Sequence, residues 1–250
     1  MNETIKNQLS HRSIRAFSDK AVPEEIVNTL LAVVNRTATS TGMQQCSVIR
    51  ITDAAIKSRI AAVCEQAYVN QLPEFFIFIV DCHRNFRIAK EQGSEGKSAG
   101  DTDHFFQAYT DACLAAQNVT TAIESLGLGA VFFGSILNDP QEIVDILALP
   151  ELTFPVLGVG FGVPAQDPQL KPRMDMSLKV FENQYVTFDN YRKHLSEYDK
   201  EMQTYYDLRD NGKHSDSFSE QVVKKLQVIR EKRCLMLEVA RKQGFDLKIE

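Results

Sequence analysis

A cluster of anion-binding side chains lies near the start of the sequence. The segment His11-Arg12-Ser13-Ile14-Arg15 places two guanidinium groups, an imidazole and a hydroxyl within five residues. Arginine binds phosphate oxygens through two parallel hydrogen bonds, and serine adds a further donor. The pattern therefore favours a binding site for a phosphomonoester, although these residues are equally typical of a basic patch at a domain edge.

A second pair of cations follows much later in the chain, in Lys171-Pro172-Arg173. Proline stiffens the backbone, so the two side chains lose less conformational freedom when they bind a ligand. Alone, the pair is typical of a solvated loop. Because the chain as a whole is acidic, two distant sets of cations together favour an anion bound between them.

Two further segments predict contacts with a planar heterocycle. Residues 38–45 carry small hydroxyl side chains and glutamine, which provide donors and acceptors without bulk; alone, this segment is also typical of an ordinary connecting loop. The segment from Gly127 to Ile136 contains Gly134-Ser135, where glycine permits close approach of a ligand to the backbone. Its glycines do not have the spacing of a dinucleotide-binding turn.

Motifs of several other chemistries are missing from the sequence, namely the G-x-S-x-G elbow, the P-loop and H-E-x-x-H. The five histidines lie far apart without metal-ligand spacing, which argues against a metal site. A Cys–His dyad stays open, but Cys64, Cys82 and Cys113 lie in apolar segments that favour buried, unreactive thiols.

Length and composition define the broad class of protein. The chain has 250 residues, of which 44% are hydrophobic and 24% charged, as in ordinary globular proteins. A net charge of −5 argues against nucleic-acid binding. Five cysteines without a C-x-x-C pair favour a reducing compartment. With no signal-peptide core and no apolar stretch of membrane-spanning length, we expect a soluble, cytoplasmic protein.

The hydrophobic pattern predicts helices and strands that alternate over the first two thirds of the chain. In chain order, the predicted elements are a helix at 23–34, a strand at 47–52, a helix at 54–67, a strand at 74–82, a helix at 103–126, a strand at 130–133, a helix at 139–149, a strand at 154–161, and polar helices at 188–208 and 218–243. This order indicates a sheet with flanking helices, of the α/β or α+β class, followed by a helical appendage.

Taken in order, these segments resemble the nitroreductase superfamily of FMN enzymes, in particular its oxygen-insensitive NADPH nitroreductases and NADPH–flavin oxidoreductases. The resemblance covers nearly the whole chain. It is carried by HRSIRAF at 11–17, STGMQQCSVIRITD at 40–53, CEQAYV at 64–69, AAQNVTTAIESLGLGAVFFGS at 115–135, FPVLGVGFGVPAQDPQLKPR at 154–173 and FENQY at 181–185.

The resemblance implies an α+β fold with a nitroreductase-like central mixed β-sheet flanked by helices. Residues 1–164 would form the FMN-binding core, and residues 165–250 an excursion and helical extension that wraps the partner of a homodimer. FMN would lie at the subunit interface. No membrane or nucleic-acid partner is implied.

The resemblance also assigns binding residues, but no catalytic side chain and no metal ligand. The flavin-binding residues are, for the phosphate, His11, Arg12, Ser13, Arg15, Lys171 and Arg173; for the ribityl chain and pyrimidine edge, Ser40, Gln44 and Gln66, with Thr39 beside them; and near flavin N5, Gly134 and Ser135, preceded by Phe133. The candidates for the extra phosphate of NADPH are Arg209, Lys213 and Arg233. Because Lys213-His214 stands where relatives can carry an arginine pair, the preference for NADPH over NADH stays open.

The implied activity is that of an FMN-dependent oxidoreductase. It would transfer hydride from NADPH or NADH, through bound FMN, to a nitroaromatic, a quinone or free flavin by a ping-pong mechanism. Two alternatives share every motif. One is a flavin reductase that supplies reduced FMN to a partner, and the other is a non-enzymatic flavin-binding redox sensor.

Overall fold

The computed structural model describes residues 1–207 and 213–247, which form two compact units. The first unit consists of Met1–Gln166 together with the residues from Arg230 onward, and the second unit runs from Asp167 to Ile229. The division of the chain into a core at 1–164 and an extension at 165–250 stays a prediction.

Helices form most of the regular structure. In chain order they are α1 Glu3–Leu9, α2 Glu24–Asn35, α3 Ala54–Cys64, α4 His83–Glu91, α5 Thr102–Ser125, α6 Pro140–Ile146, α7 Tyr191–Thr204, α8 Phe218–Leu226, α9 Glu231–Cys234 and α10 Met236–Lys242. Three starts are capped by aspartate side chains that accept backbone N–H groups, namely Asp53, Asp101 and Asp139. None of the helices within the described residues is both long and apolar enough to cross a membrane.

The strands form one sheet of four and one pair. They are β1 Cys46–Arg50, β2 Glu74–Asp81, β3 Gly129–Phe133, β4 Thr153–Gly162, β5 Tyr206–Asp207 and β6 Lys213–His214. The larger sheet has the order β1-β2-β4-β3, and each of its three pairings is antiparallel. The predicted α+β class is confirmed. The sheet was predicted to be mixed, and in its named strands it is antiparallel instead.

Strand β2 forms the centre of the hydrophobic core. All eight of its residues are buried, as the continuous apolar run predicted. The strand pairs with β1 and β4 and is covered by α5. The ring of Phe76 packs edge-on against that of Phe161 of β4, with centroids 5.0 Å apart. The edge-on ring pair therefore adds a side-chain contact to the backbone pairing of these two strands.

Helix α5 connects the parts of the first unit, because it contacts all four strands of the larger sheet. It begins after Asp101, whose side chain accepts from the His104 N–H, and the chain then turns at Gly127 with a φ of 74°. Its buried face is formed by apolar residues, most of them small, with two polar exceptions, Asp111 and Thr120. Those two side chains need a specific explanation.

The segment after Arg230 packs back onto the first unit. The ring of Phe245 lies edge-on to that of Phe105 in α5, with centroids 4.9 Å apart. The backbone N–H of Leu152 donates to the Gln243 carbonyl at 2.6 Å. Residues from both ends of the sequence therefore share one hydrophobic core.

The C-terminal helix predicted at 218–243 is wrong in its extent, because α8, α9 and α10 are separate helices. Near the break, Arg230 lies 3.5 Å from the Glu65 carboxylate and Lys232 pairs with Asp139. These tertiary contacts hold the chain where local propensity alone would continue the helix. Helices α1 and α4 were not predicted, and neither contains a buried residue that would reveal an apolar period.

Candidate functional site

The predicted phosphate-binding segment runs beside β3. Ser13 forms an isolated parallel bridge with Ala130, and the N–H of Ile14 donates to the Ala130 carbonyl at 2.9 Å. Ile14 is buried, whereas Arg12 is exposed and Arg15 half-buried. Successive side chains of an extended segment point to opposite faces, so Arg15 points away from the buried side chain of Ile14. Ile14 therefore anchors the segment, and Arg12 at its start is exposed.

His11, at the start of this segment, is held by a carboxylate that the sequence analysis did not single out. Its Nδ1 lies 2.5 Å from Oε1 of Glu124 in α5, and the Glu124 side chain is largely buried. Because the carboxylate accepts, Nδ1 is the donor and Nε2 is the nitrogen left for a ligand. Glu124 thus orients the imidazole ring.

The predicted heterocycle-binding residues at 39–45 form a strained turn. Thr41, Gly42 and Gln44 have φ values of 50°, 72° and 53°. This left-handed region favours glycine, and it is an outlier for a β-branched residue such as Thr41. Such strain persists only where the surrounding structure holds it, and it is concentrated at functional sites.

Side chains from α4 and α5 hold both ends of this turn. At the first end, the N–H of Ser40 donates to Oδ1 of Asp111 at 2.8 Å. At the other end, Arg84 and Asn85 donate to the carbonyls of residues 44 and 43, the bond from Asn85 being 2.8 Å long. The turn is therefore fixed by the surrounding helices.

The turn and the phosphate segment are anchored far apart on one helix. Asp111 and Glu124 are thirteen positions apart in α5. At a rise of 1.5 Å per residue, this separates the two anchors by about 20 Å along the helix axis. A single chain therefore does not bring His11 and Ser40 into contact.

The structure brings Gln66 and Ser135 together, although the sequence predicted no contact between them. Gln66 Nε2 donates to Ser135 Oγ at 3.3 Å, and the hydroxyl of Tyr68 donates to Gln66 Oε1 at 2.7 Å. Tyr68 was missed, although it lies only two positions after Gln66. The ring of Phe133 is buried. A ligand would therefore contact the backbone of Phe133 and not its ring.

Gly134 leaves space beside the end of β3. Its φ is not positive, and among the described residues a Cβ there would meet only Arg233 Nη2, at 3.9 Å. At Gly129 of the same strand, by contrast, a Cβ would lie 2.6 Å from Ile14. Packing within the protein therefore explains Gly129, whereas Gly134 is consistent with room kept for a bound group.

Arg233 lies at the turn that follows β3. Its Nη1 donates to the Gly134 carbonyl at 2.8 Å and lies 3.4 Å from Oδ1 of Asn138. A guanidinium group has five N–H donors, so these contacts are compatible with a further role toward an anion. The structure thus associates Arg233 with Gly134, a link that sequence spacing did not predict.

Lys171 and Arg173 lie in the second unit. Lys171 Nζ is 5.9 Å from the ring centroid of Tyr205, within the range of a cation–π interaction. Arg173 Nη1 donates to the carbonyls of Lys171 and Pro172, and the latter carbonyl also accepts from the Tyr198 hydroxyl. Their contribution to a phosphate site stays a prediction.

The remaining two predicted nucleotide contacts are not tested. Arg209 lies outside the described residues. Lys213 belongs to β6, whose backbone pairs with β5 in an antiparallel arrangement. Both assignments therefore stay predictions.

The buried cysteines have the properties of structural thiols. Burial raises the pKa of Cys64 to about 11, and that of Cys46 and Cys82 to about 12. These thiols are therefore protonated at neutral pH and are poor nucleophiles. Within the described residues, no group of histidine, cysteine and acidic side chains has an arrangement that could hold a metal ion.

Comparison with known proteins identifies the family of this chain. The sequence profile of the Nitroreductase family matches residues 9–163, and that of the Nitroreductase family, C-terminal domain, matches residues 171–248. The chain belongs to the nitroreductase family.

Individual relatives match over almost the whole chain. The chain is 33% identical to the FMN reductase (NADPH) of Bacillus subtilis over 250 residues, covering 98% of this chain and 99% of that protein. It is 35% identical to the oxygen-insensitive NADPH nitroreductase of Salmonella typhimurium over 246 residues, with the same coverage. A solved structure of NfrA1 from B. megaterium superposes with a TM-score of 0.90 at 35% identity, covering 98% of this chain and all of that one.

The residues present fit a flavin mononucleotide by their chemistry. The segment His11–Arg15 offers donors suited to a phosphate, and Gln66 and Ser135 offer neutral polar groups suited to a heterocycle edge. The space over Gly134 adds room for a flat ring next to exposed backbone. Family names imply a flavin cofactor, and the donor set agrees with it.

Proposed function

We propose that this chain is an NADPH-dependent flavin oxidoreductase that binds FMN and reduces nitroaromatics, quinones or free flavin. Membership of the nitroreductase family and the relatives named as NADPH-dependent enzymes support this function. The observation that carries the proposal is the space over Gly134, because neither backbone conformation nor protein packing accounts for glycine there.

The phosphate of FMN would bind to His11, Arg12, Ser13 and Arg15, completed by Lys171 and Arg173. This assignment is supported by the way that Ile14 and Glu124 fix the segment with its cationic groups accessible. Two guanidinium groups bind a doubly charged headgroup through charge-assisted hydrogen bonds. The same charges favour retention of the cofactor between turnovers.

The heterocycle would be bound by neutral groups. Ser40 and Gln44, with Thr39, would contact the ribityl chain and pyrimidine edge together with Gln66, whose amide is oriented by Tyr68. The backbone N–H groups of Gly134 and Ser135 would face the reactive edge of the ring. When bound, FMN supplies the two-electron redox chemistry that links NADPH to the second substrate. The protein orients both substrates, and we assign no general acid among its side chains.

The extra phosphate of NADPH would bind to Arg233 together with Arg209 and Lys213. The hydrogen bond from Arg233 to the Gly134 carbonyl places this cation beside the proposed ring site, so its part in holding the distant adenosine phosphate rests on the resemblance alone. The positive charge of Arg233 would also stabilise negative charge on a reduced flavin bound there.

The proposed functional form is a cytoplasmic homodimer with FMN at the subunit interface. Two observations support the dimer. The end of α8 and the residues after it expose large apolar side chains, with Leu226 at 82% and Ile229 at 78% exposure. In addition, the separation of about 20 Å between the two anchors on α5 suits a site to which each protomer contributes one cluster. The odd number of cysteines, none of them in a disulfide, supports a reducing compartment.

The test of this function is the visible spectrum of the purified protein during anaerobic addition of NADPH. We expect a yellow protein that bleaches with NADPH and regains colour when nitrofurazone is added, with ping-pong kinetics in turnover. A colourless protein that takes up no FMN would refute the proposal, and a ternary-complex kinetic pattern would refute the mechanism. A yellow protein that NADPH does not bleach would identify the sensor alternative.

Three further measurements define the coenzyme preference, the electron acceptor and the oligomeric state. Titration with NADH in place of NADPH gives the coenzyme preference. Turnover with free FMN, compared with nitrofurazone, distinguishes a flavin reductase from a nitroreductase. Similarity to the FMN reductase (NADPH) of Bacillus subtilis favours the flavin reductase. Light scattering gives the mass in solution, for which a dimer is expected.

Replacing Tyr68 by phenylalanine tests the orientation of Gln66. The variant Y68F keeps the ring but removes the donor to Gln66 Oε1. The loss of one neutral hydrogen bond, on the order of 1 kcal/mol, would weaken FMN binding about fivefold with little change in melting temperature. The matched control is Y191F, on α7, which should leave FMN affinity unchanged. Equal affinities in Y68F and the native protein would contradict the assignment of Gln66.

A further inference from the structure

We infer that Asp111 is a positioning residue for the flavin, acting through the strained turn at 39–45, with Asn85 and Arg84 fixing the other end of that turn. The inference rests on the proposed function, because Ser40 and Gln44 are the side chains that the turn would present to FMN. Asp111 and Asn85 would act on the turn without contacting the cofactor.

Asp111 is a carboxylate on the buried face of a long helix. It is 1% exposed, and its neighbours on that face, Ala108, Ala112 and Ala115, are buried too. Oδ1 accepts the Ser40 N–H at 2.8 Å, whereas Oδ2 is buried without a hydrogen-bond partner among the described residues. A buried, half-satisfied carboxylate lowers stability. Stability alone therefore does not account for an aspartate at this position.

The turn needs an external restraint. Thr41 and Gln44 are non-glycine residues with positive φ, and each is less stable there than in the ordinary regions of backbone conformation. The turn has few hydrogen bonds of its own, the one from the Met43 N–H to the Ser40 carbonyl being 3.1 Å long. Without its external contacts it would relax, because the strain is local and the turn is largely exposed.

The restraint acts where the ligand would bind. Asp111 accepts from the backbone of Ser40 itself, so it fixes the start of the turn without occupying the Ser40 hydroxyl. Asn85 and Arg84 donate to the carbonyls of Met43 and Gln44. The side chains of Ser40 and Gln44 are thus left for a ligand while their backbones are held, which lowers the entropy lost on binding.

The test is the FMN dissociation constant of four proteins: native, D111A, S40A and the double variant. We expect D111A to raise the dissociation constant about tenfold, the size of effect of one lost charge-assisted hydrogen bond. If Asp111 acts through Ser40, the same change in the S40A background has a much smaller effect, since coupled positions are not additive. The S40A change keeps the backbone N–H, so it removes only the ligand contact.

Conservative and control variants separate positioning from general stability. D111N retains an acceptor for the Ser40 N–H, and we expect it to restore affinity to within about threefold of native. T120V removes the other polar side chain of the buried face of α5 and should leave FMN affinity unchanged. Hydrogen exchange of a peptide covering 38–46, measured without cofactor, should accelerate in D111A and not in T120V.

Each outcome decides the inference. Native protein that binds no FMN would refute the proposed function, whereas native binding with unchanged affinity in D111A would refute only this inference. An equal effect of D111A in the native and S40A backgrounds would also refute it. If D111A does not fold, N85A decides, because Asn85 lies near the surface at the opposite end of the turn. In N85A we expect weaker FMN binding with faster exchange at 38–46, and native values in both measurements would overturn the inference.

Discussion

Replacing Arg12 and Arg15 together by alanine is expected to give a folded protein that purifies without flavin. The anchor of the segment is Ile14, whose N–H bonds to the Ala130 carbonyl, so the fold does not depend on the two guanidinium groups. A hydrogen bond to a charged group is worth about 1.5–3 kcal/mol. Losing two such contacts would raise the FMN dissociation constant about 100- to 10,000-fold.

The measurement is the ratio of flavin to protein absorbance after purification, followed by titration with FMN. The control is R87A/R192A, which changes net charge equally with two exposed arginines outside the proposed site. That control should remain yellow. Full flavin occupancy in R12A/R15A would show that the phosphate binds elsewhere. Circular dichroism establishes that both double variants are folded.

The second large effect is expected from alanine at two glycines, Gly129 in β3 and Gly134 in the turn that follows β3. The first change should lower stability, and the second should weaken FMN binding. A methyl group at Gly129 would lie 2.6 Å from Ile14, and the side chain and backbone would have to move apart. Overpacking of this kind costs about 1–3 kcal/mol, so G129A should lower the melting temperature by roughly 2–4 °C for each kcal/mol. Because Ile14 also anchors the phosphate segment, FMN affinity should fall as well.

The variant G134A should behave in the opposite way. Among the residues that the structure describes, its methyl group meets no atom closer than 3.9 Å, so the unfolding free energy should stay within about 0.5 kcal/mol of native. The methyl group would occupy the space proposed for the flavin ring, and FMN binding should weaken about 10- to 100-fold. Urea denaturation and FMN titration of both variants provide the comparison. Native FMN affinity in G134A would remove the main support for the proposed ring site.

The elements with a strong apolar period were predictable from the sequence. Strand β2 and helix α5 both consist of long runs whose burial leaves an unambiguous pattern, and the structure confirms them. Strand direction was harder to predict, because pairing depends on connections across the whole chain. The resemblance implied a mixed sheet, whereas the three pairings of the larger sheet are antiparallel.

The proposed ligand-binding residues were predictable because their types are chemically distinctive. The residues that orient them were not. Glu124, Asp111 and Tyr68 act on side chains or backbone that are distant in sequence or hidden in ordinary segments. The signal that could have found Asp111 is its charge on an otherwise apolar helix face, between Ala108 and Ala112.

The return of the C-terminal segment to the first unit has a consequence for how the chain is made. Phe245 completes a ring cluster with Phe105, and Gln243 closes a backbone bond to Leu152. Residues 243–245 must therefore leave the ribosome before this ring cluster can form. A truncation ahead of Gln243 would then leave an unfinished and aggregation-prone body, rather than a shortened enzyme.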